Sequence, residues 1–222
     1  MIRLRHVSKS YTPKTGKPIE VLSGVELSIE AGTFAAISGA SGCGKSTLLL
    51  IAGGLMRPDE GEVTVGGHNL TALHGDELGR RRAEDIGFVF QRFHLLPYLS
   101  VRENILAATV ALKTSPDRAE ARAVELMQRL GLADRAGHLP GELSVGEMQR
   151  TALARAMLND PKVILADEPT GNLDPENAAI VLATFADFSA AGGTVLMVTH
   201  NPADAAHASQ QWRMSQGRVT QT

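Results

Sequence analysis

Only one cysteine, Cys43, occurs in the 222 residues, which excludes an intramolecular disulfide and a cysteine-based zinc site. Aromatic residues are scarce too, at 4% with a single tryptophan. The charges nearly cancel, at a net −2, and a pI of about 6.4 argues against a polyanion-binding surface. Long apolar runs are missing too. The longest, "LLLIAGGLM" (48–56), is far short of the ~20 residues that cross a bilayer, and "MIRLRHVSKSY" (1–11) has no signal-peptide core. Any membrane work is therefore expected to rely on another subunit for the spanning part. Internal repeats and low-complexity tracts are also lacking. What remains is an ordinary globular composition, 43% hydrophobic and 21% charged, long enough for one domain with a packed core.

Strand and helix signals alternate. Residues 2–7, 20–30, 33–38, 61–67, 86–91, 162–167 and 194–199 read as strands, several of them near-continuous apolar runs. "KSTLLLIAGGLM" (45–56) and residues 175–190 read as helices. Between about 97 and 140 strand signals vanish, and "SVRENILAATVAL" and "DRAEARAVELMQRLGL" carry helical periodicity. Ser100 and Asp117 each precede an acid three residues on, Glu103 and Glu120, as in capping boxes. Leu126, Met127 and Leu130 fall at core positions, and Arg80, Arg81 and Arg82 read as a solvated helix face. The expected fold is α/β: a mostly parallel sheet with an inserted helical block.

"GASGCGKS" (39–46) follows an expected strand and opens an expected helix, the context of a P-loop. Gly39, Gly42 and Gly44 let backbone N–H groups turn inward around phosphate oxygens, with Ala40, Ser41 and Cys43 filling the loop between them. Lys45 is positioned for β- and γ-phosphates, Ser46 for Mg²⁺ and Thr47 for the α-phosphate, at a helix N-terminus that favours negative charge. The alternative is a glycine-rich turn with a chance lysine, which the strand–loop–helix context disfavours. "VILADE" (163–168) ends a buried strand in two acids. Asp167 is expected beside the P-loop as a second Mg²⁺ ligand, and Glu168, pointing elsewhere, as the base for an attacking water. Two solvated acids at a strand end would be the plain reading without the P-loop. Gln91 and His200 close two more apolar strands at the edge where ligands sit in open α/β sheets. Either residue alone is more often structural.

"LSVGE" (143–147) starts the helix "MQRTALARAML", and Ser144-x-x-Glu147 is itself a capping-box pattern. Glu147 is therefore expected to cap its own helix rather than approach a phosphate.

In this order the motifs resemble the nucleotide-binding subunits of ATP-binding cassette (ABC) transporters, over nearly the whole chain. "GASGCGKST" resembles the Walker A loop, "VILADE" the Walker B strand with its catalytic glutamate, and Gln91 the Q-loop glutamine. "LSVGE" sits at the signature, "GNLD" (171–174) at the D-loop with Asp174, and His200 at the switch histidine, while Tyr11 matches the aromatic that stacks on adenine. "FVFQRFHLLPYLSVRENI" and "LADEPTGNLD" are similar to the lipoprotein-release and macrolide-export group. The signature departs from the usual Leu-Ser-Gly-Gly-Gln at Val145 and Glu147 but keeps Ser144 and Gly146.

The resemblance implies a P-loop NTPase core with an antiparallel β subdomain (residues 1–91 and 159–222) and a helical subdomain (92–158). It also implies ATP and Mg²⁺ as ligands, Glu168, His200, Lys45 and Gln91 in catalysis, and Ser46, Gln91 and Asp167 around the metal. Ser144, Gly146 and Glu147 would face a nucleotide held by a second copy in a head-to-tail homodimer. The implied place of work is the cytoplasmic face of the inner membrane, peripherally, on an integral membrane permease. Residues 92–99 could line the permease's docking groove or fill their own subdomain's core. ATP cycling that regulates a membrane partner without moving a solute would leave the same sequence. A soluble cassette acting on DNA or ribosomes is disfavoured: the stretch from Ser46 to Ser144 has no sustained heptads, and there is one cassette. No nucleic-acid partner is expected.

Overall fold

The computed structural model describes residues 1–13, 15–112 and 114–222. A central six-stranded sheet has the order β10-β9-β3-β8-β7-β6, built from β3 (Phe34–Ser38), β6 (Ile86–Phe90), β7 (Val163–Asp167), β8 (Thr194–Thr199), β9 (Gln210–Ser215) and β10 (Arg218–Gln221). All neighbours in it are parallel except the β9–β10 hairpin. A second, antiparallel sheet has the order β2-β1-β4-β5, from β1 (Ile2–Tyr11), β2 (Ile19–Ile29), β4 (Glu60–Val65) and β5 (His68–Asn69).

The apolar runs of the central strands are explained by packing on both faces. Phe34 and Ala36, Ile164 and Ala166, Val195 and Met197 belong to one core, while Ala35 and Ile37, Val163 and Leu165, Leu196 and Val198 belong to another. Successive side chains point to opposite faces, so a strand covered on both sides has no polar position to spare. The first core joins the sheet to α3 (Val101–Leu106), α4 (Pro116–Arg129), α5 (Val145–Met157) and α6 (Pro175–Ala190). The second joins it to the antiparallel sheet and α1 (Lys45–Ala52). Leu126, Met127 and Leu130 are buried in the first core.

Some local expectations fail for tertiary reasons. α1 ends at Ala52, not residue 56: Gly54 is left-handed (φ 64°), and a side chain at Gly53 would run into the Phe88 ring. The expected helix of residues 100–112 is α3 followed by a separate 3₁₀ turn. Ser100 and Glu103 do form a capping box. Asp117 caps nothing: the N-cap of α4 is Ser115, two residues earlier, with Pro116 at N1, and Glu120 instead takes a two-pronged bond from Arg102 (2.5 and 2.7 Å). A helix α2 (Gly75–Asp85) carries the three arginines. Arg80 and Arg81 pair with Glu84, but Arg82 turns inward to the Gly54 carbonyl, so this face is only partly solvated. Gly87 on β6 permits close approach of α5, because a Cβ there would overlap the Ala156 carbonyl.

Candidate functional site

The parallel strands end at one edge in register: Phe90 opposite Asp167, Asp167 opposite Val198, Ser38 opposite Thr199. The residues that follow, Gly39, Gln91, Glu168 and His200, are thereby brought to one edge. A cleft of about 500 Å³ opens there, lined by Ser41, Gly42, Gly44, Lys45, Ser46, Thr47, Gln91, Glu168 and His200, with Val21.

Residues 39–44 form a tight loop in which Gly42 (φ 78°) and Gly44 (φ 107°) are left-handed, and a Cβ at Gly44 would strike the Val21 carbonyl. Such a loop cannot be built with side chains, and it turns amide groups toward the cleft. Cys43 donates its N–H to the Ala40 carbonyl and packs its side chain toward the second core. Lys45 is buried, with its ammonium donating to the Gly39 and Ala40 carbonyls (2.7 and 3.0 Å). Its third contact is a long one, to the Cys43 sulfur at 4.0 Å, which an anion in the loop can readily displace. Thr47 lies within reach of the Tyr11 hydroxyl, whose ring is 40% exposed at the end of β1.

Ser46 Oγ donates to Asp167 Oδ1 at 3.1 Å. Burial pushes the Asp167 carboxyl above its usual range, with Glu168 adding to the effect, while Ser46 and Lys45 hold it down. A half-buried acid beside an exposed hydroxyl is a hard oxygen pair suited to a divalent cation. Among the described residues, no group of three or more His, Cys, Asp and Glu could hold a metal by itself. The Ser46–Asp167 oxygen pair fits Mg²⁺, which binds through one or two protein oxygens and keeps waters and phosphate oxygens as its other ligands.

Glu168 has φ 46°, unfavourable for a residue with a side chain, and such strain clusters at functional sites. The twist separates neighbouring carboxylates: Asp167 faces Ser46, whereas Glu168 Oε2 accepts from the His200 N–H (3.2 Å) and lies 2.9 Å from His200 Nδ1. His200 also lines the cleft.

None of residues 142–147 lines this cleft. Ser144 is the N-cap of α5: its hydroxyl accepts from the Glu147 N–H (3.3 Å), and its own N–H donates to Glu147 Oε2 (2.8 Å). Glu147 Oε1 takes a further bond from Arg135 Nε (2.8 Å). Arg135 first, then the Ser144 N–H and hydroxyl, hold the Glu147 carboxyl down to about 2. Gly146 is buried, and a Cβ there would collide with the Asn177 carboxamide on α6. Asn177 accepts from Arg150 and donates to Asp174 Oδ2 (2.7 Å), the residue that caps α6. Buried Gln149 donates to the Pro169 carbonyl at 2.6 Å, next to Glu168. Helix α5 thus grips residues 169–177 through positions one turn apart. The signal for that grip was an i, i+3, i+4 set of Gly, Gln and Arg, but its partners are distant in sequence.

Replacing Glu147 with alanine is expected to lower stability by about 1 kcal/mol, the usual worth of a cap, whereas Glu147→Gln keeps both capping bonds. A carboxyl held at about 2 against an ordinary 4.5 stabilises the fold fully above pH 4.5 and loses that contribution as pH falls toward 2. The urea midpoints of wild type and Glu147→Gln should converge over that window. A gap that widened on acidification would contradict the capping role.

Residues 92–99 divide between core and surface. Phe93, Leu95 and Leu99 are partly buried, whereas Leu96 and Tyr98 are exposed. Two residues outside the loop hold it. Buried Asn104 accepts from the Leu96 N–H and donates to the Leu96, Leu99 and Ser100 carbonyls. Arg155 donates to the Phe93 and His94 carbonyls, both at 2.6 Å.

The "ABC transporter" family model matches residues 22–171. The macrolide export ATP-binding/permease protein MacB of Burkholderia pseudomallei is 45% identical over 99% of this chain and 33% of its own length. The pyoverdine export ATP-binding/permease protein PvdT of Pseudomonas syringae pv. tomato is 44% identical over the same shares. The chain thus spans about a third of the length of these curated relatives. Among solved structures, a dimeric post-hydrolysis state of the ATP-binding cassette MJ0796 bound to ADP and Pi superposes with a TM-score of 0.92 at 36% identity, covering 100% of this chain and 98% of that one. A dimeric structure of MJ0796, described as a bacterial ABC transporter cassette, gives 0.90 at 38%, covering 99% and 96%.

Proposed function

The chain belongs to the ABC transporter family, and we propose that it is an ATP-hydrolysing unit that powers a membrane permease through ATP-dependent, head-to-tail dimerisation. One observation carries the reading. The cleft assembles Lys45, Ser46, Glu168 and His200 but no part of residues 142–147. A signature that cannot reach its own nucleotide needs a second copy, and two equivalent composite sites follow from twofold symmetry.

In this reading Lys45 and the loop amides bind the β- and γ-phosphates, Thr47 the α-phosphate, and Tyr11 stacks on adenine. Ser46 and Asp167, with Gln91 nearby, hold Mg²⁺, which offsets phosphate charge when bound. Glu168 accepts a proton as a water oxygen attacks the γ-phosphorus, and the bond to the β,γ-bridging oxygen breaks to leave ADP. His200 orients Glu168 through Nδ1 and meets the γ-phosphate through Nε2. Ser144 and the N–H groups at the start of α5 cap the γ-phosphate of the partner copy, and Asp174 braces that helix through Asn177. Glu147, already committed to Arg135 and the cap, stays off the phosphate. Hydrolysis removes the γ-phosphate contacts and lets the dimer open.

The division into a catalytic core (1–91 and 159–222) and a helical subdomain (92–158) belongs to the same reading. The work is placed peripherally on the cytoplasmic face of the inner membrane. Among the described residues, no helix is long and apolar enough to cross a membrane. Export, in the manner named for MacB and PvdT, is the proposed direction.

ATPase activity per chain should rise with protein concentration in Mg²⁺ and ATP, because only dimers hold complete sites. A specific activity independent of concentration down to nanomolar chain would refute the composite site.

A further inference from the structure

The segment that carries Glu168 is pinned at several points. The Glu168 N–H donates to the Val198 carbonyl (2.9 Å), the Gly171 N–H donates to the Glu168 carbonyl (3.2 Å), and Gln149 donates to the Pro169 carbonyl. Between these anchors lies Thr170, which is buried and donates its hydroxyl to Asp204 Oδ2, also buried. Asp204 belongs to the short helix α7 (Pro202–Ala205), four residues beyond His200. The bond therefore closes a ring. Glu168 leads in two residues to Thr170, Thr170 crosses to Asp204, the chain runs back to His200, and the His200 N–H returns to the Glu168 carboxylate. A cavity of about 430 Å³ lies along this ring, with Glu168, Thr170, His200 and Asp204 in its wall.

An acid is a costly choice for position 204. The residue is 8% exposed, its neighbours Ala205 and Ala208 belong to the first core, and a hollow beside it is lined by Leu173, Ala178 and Leu182. Among the described residues, the Thr170 hydroxyl is the one side-chain partner of its carboxylate, and no cation pairs with it. A carboxylate drawn out of water for a single neutral donor is a poor stabilising device, and an apolar side chain would pack there at lower cost. What Asp204 supplies is a fixed acceptor. Its helix is firmly seated: the Asn201 side chain caps α7 by accepting from the Ala203 N–H (3.0 Å), and Ala205 is buried. Thr170 is thus tied to a rigid point, and with it the backbone two residues from Glu168. Glu168 needs such ties, because φ 46° is sterically unfavourable and a strained residue persists only where its surroundings over-determine it.

We propose that Asp204 is a positioning residue for hydrolysis: through the Thr170 hydroxyl it locks the turn at Glu168 and keeps the arms carrying Glu168 and His200 in one rigid unit. The inference rests on the reading of Glu168 as the base and adds a residue that does not line the nucleotide cleft. Asp204 acts on the attacking water through Glu168, by holding that carboxylate where it can take the proton. A base displaced by a fraction of an ångström still lets ATP bind on the P-loop but meets the water badly, so the effect falls on the chemical step.

The test compares steady-state ATPase kinetics and thermal melting of the full chain, in Mg²⁺ and ATP at high protein concentration, for wild type, Asp204→Leu, Asp204→Asn, Thr170→Val and Thr170→Ser. Asp204→Leu removes the acceptor and Thr170→Val the donor. Each is expected to lower kcat at least ~10-fold while KM for ATP stays within about twofold. The double variant should be no slower than either single one, because both break the same bond. Asp204→Asn and Thr170→Ser keep a donor–acceptor pair and should hold kcat within about threefold of wild type. The melting temperature of Asp204→Leu should hold steady or rise, since a desolvated charge is lost, so stability and turnover move apart. Wild-type kcat in Asp204→Leu, with or without a lower melting temperature, would overturn the proposal and leave the pair as packing alone. A kcat lost as fully in Asp204→Asn as in Asp204→Leu would overturn it as well. Should Asp204→Leu fail to fold, Thr170→Val carries the same prediction from the other partner. Near-normal turnover in Glu168→Gln would instead refute the reading of Glu168 as the base.

Discussion

Glu168→Gln is expected to bind ATP, hydrolyse it at no more than about 1% of the wild-type rate, and accumulate as a dimer. A positioned general base is typically worth 10²–10⁴-fold, and the amide has no basic oxygen with which to take a proton from water. The substitution is nearly isosteric. A glutamine oxygen can still accept from the His200 N–H, the hydrogen bond that the Glu168 side chain makes, so the strained backbone turn keeps its support. The P-loop and the Ser46–Asp167 pair lie on other elements and are untouched. ATP should therefore remain bound with its γ-phosphate in place, and the dimer it bridges should persist. Size-exclusion chromatography in ATP and Mg²⁺ should show the doubled mass for Glu168→Gln and not for the same variant in ADP. Near-normal turnover in this variant would remove Glu168 from the role of base.

Lys45→Met should separate two effects of opposite sign. Lys45 is a buried cation held by the Gly39 and Ala40 carbonyls and, at 4.0 Å, the Cys43 sulfur, with no carboxylate within 4 Å among the described residues. Replacing it with an apolar side chain of similar length removes a desolvated charge, so the melting temperature without nucleotide should hold steady or rise. Binding moves the other way. An ammonium meeting the β- and γ-phosphates in a partly closed loop is a charge pair of the kind worth several kcal/mol, so ATP affinity should fall by about 30-fold or more. ATP at concentrations that stabilise wild type should then leave the melting temperature of Lys45→Met unmoved. A preserved thermal shift would mean that the loop amides alone hold the phosphates.

Much of this molecule is legible locally. The P-loop is visible because left-handed glycines, a lysine and a hydroxyl must follow one another for amides to turn inward, and no distant residue is needed to see it. The double-sided strands are visible because burial on both faces leaves no polar position in them. The cap of α5 is visible because Ser144 and Glu147 satisfy each other within one turn. The C-terminal hairpin carried a signal that strand reading passed over: Gln216 and Gly217 are both left-handed between alternating residues, as in a two-residue turn.

Other features depend on partners far along the chain, and no window of sequence contains them. Gly146 reads as a phosphate-facing glycine, yet its lack of a side chain is already required by Asn177 on another helix. Arg82 reads as one of three solvated arginines, and Arg155 as an ordinary helix residue. Whether a cation is neutralised is a sum over everything that surrounds it, and that sum exists only after folding. Seven of the strands, the phosphate loop, the paired acids and the caps at Ser100 and Ser144 follow from short-range sterics and hydrogen bonds, and a local reading finds them, though it misplaces the start of α4 and misses the C-terminal hairpin. Tertiary structure alone decided which strand ends meet, what α5 grips, and that Arg82 and Arg155 turn to backbone carbonyls, because those depend on long-range packing and on the electrostatics that packing creates.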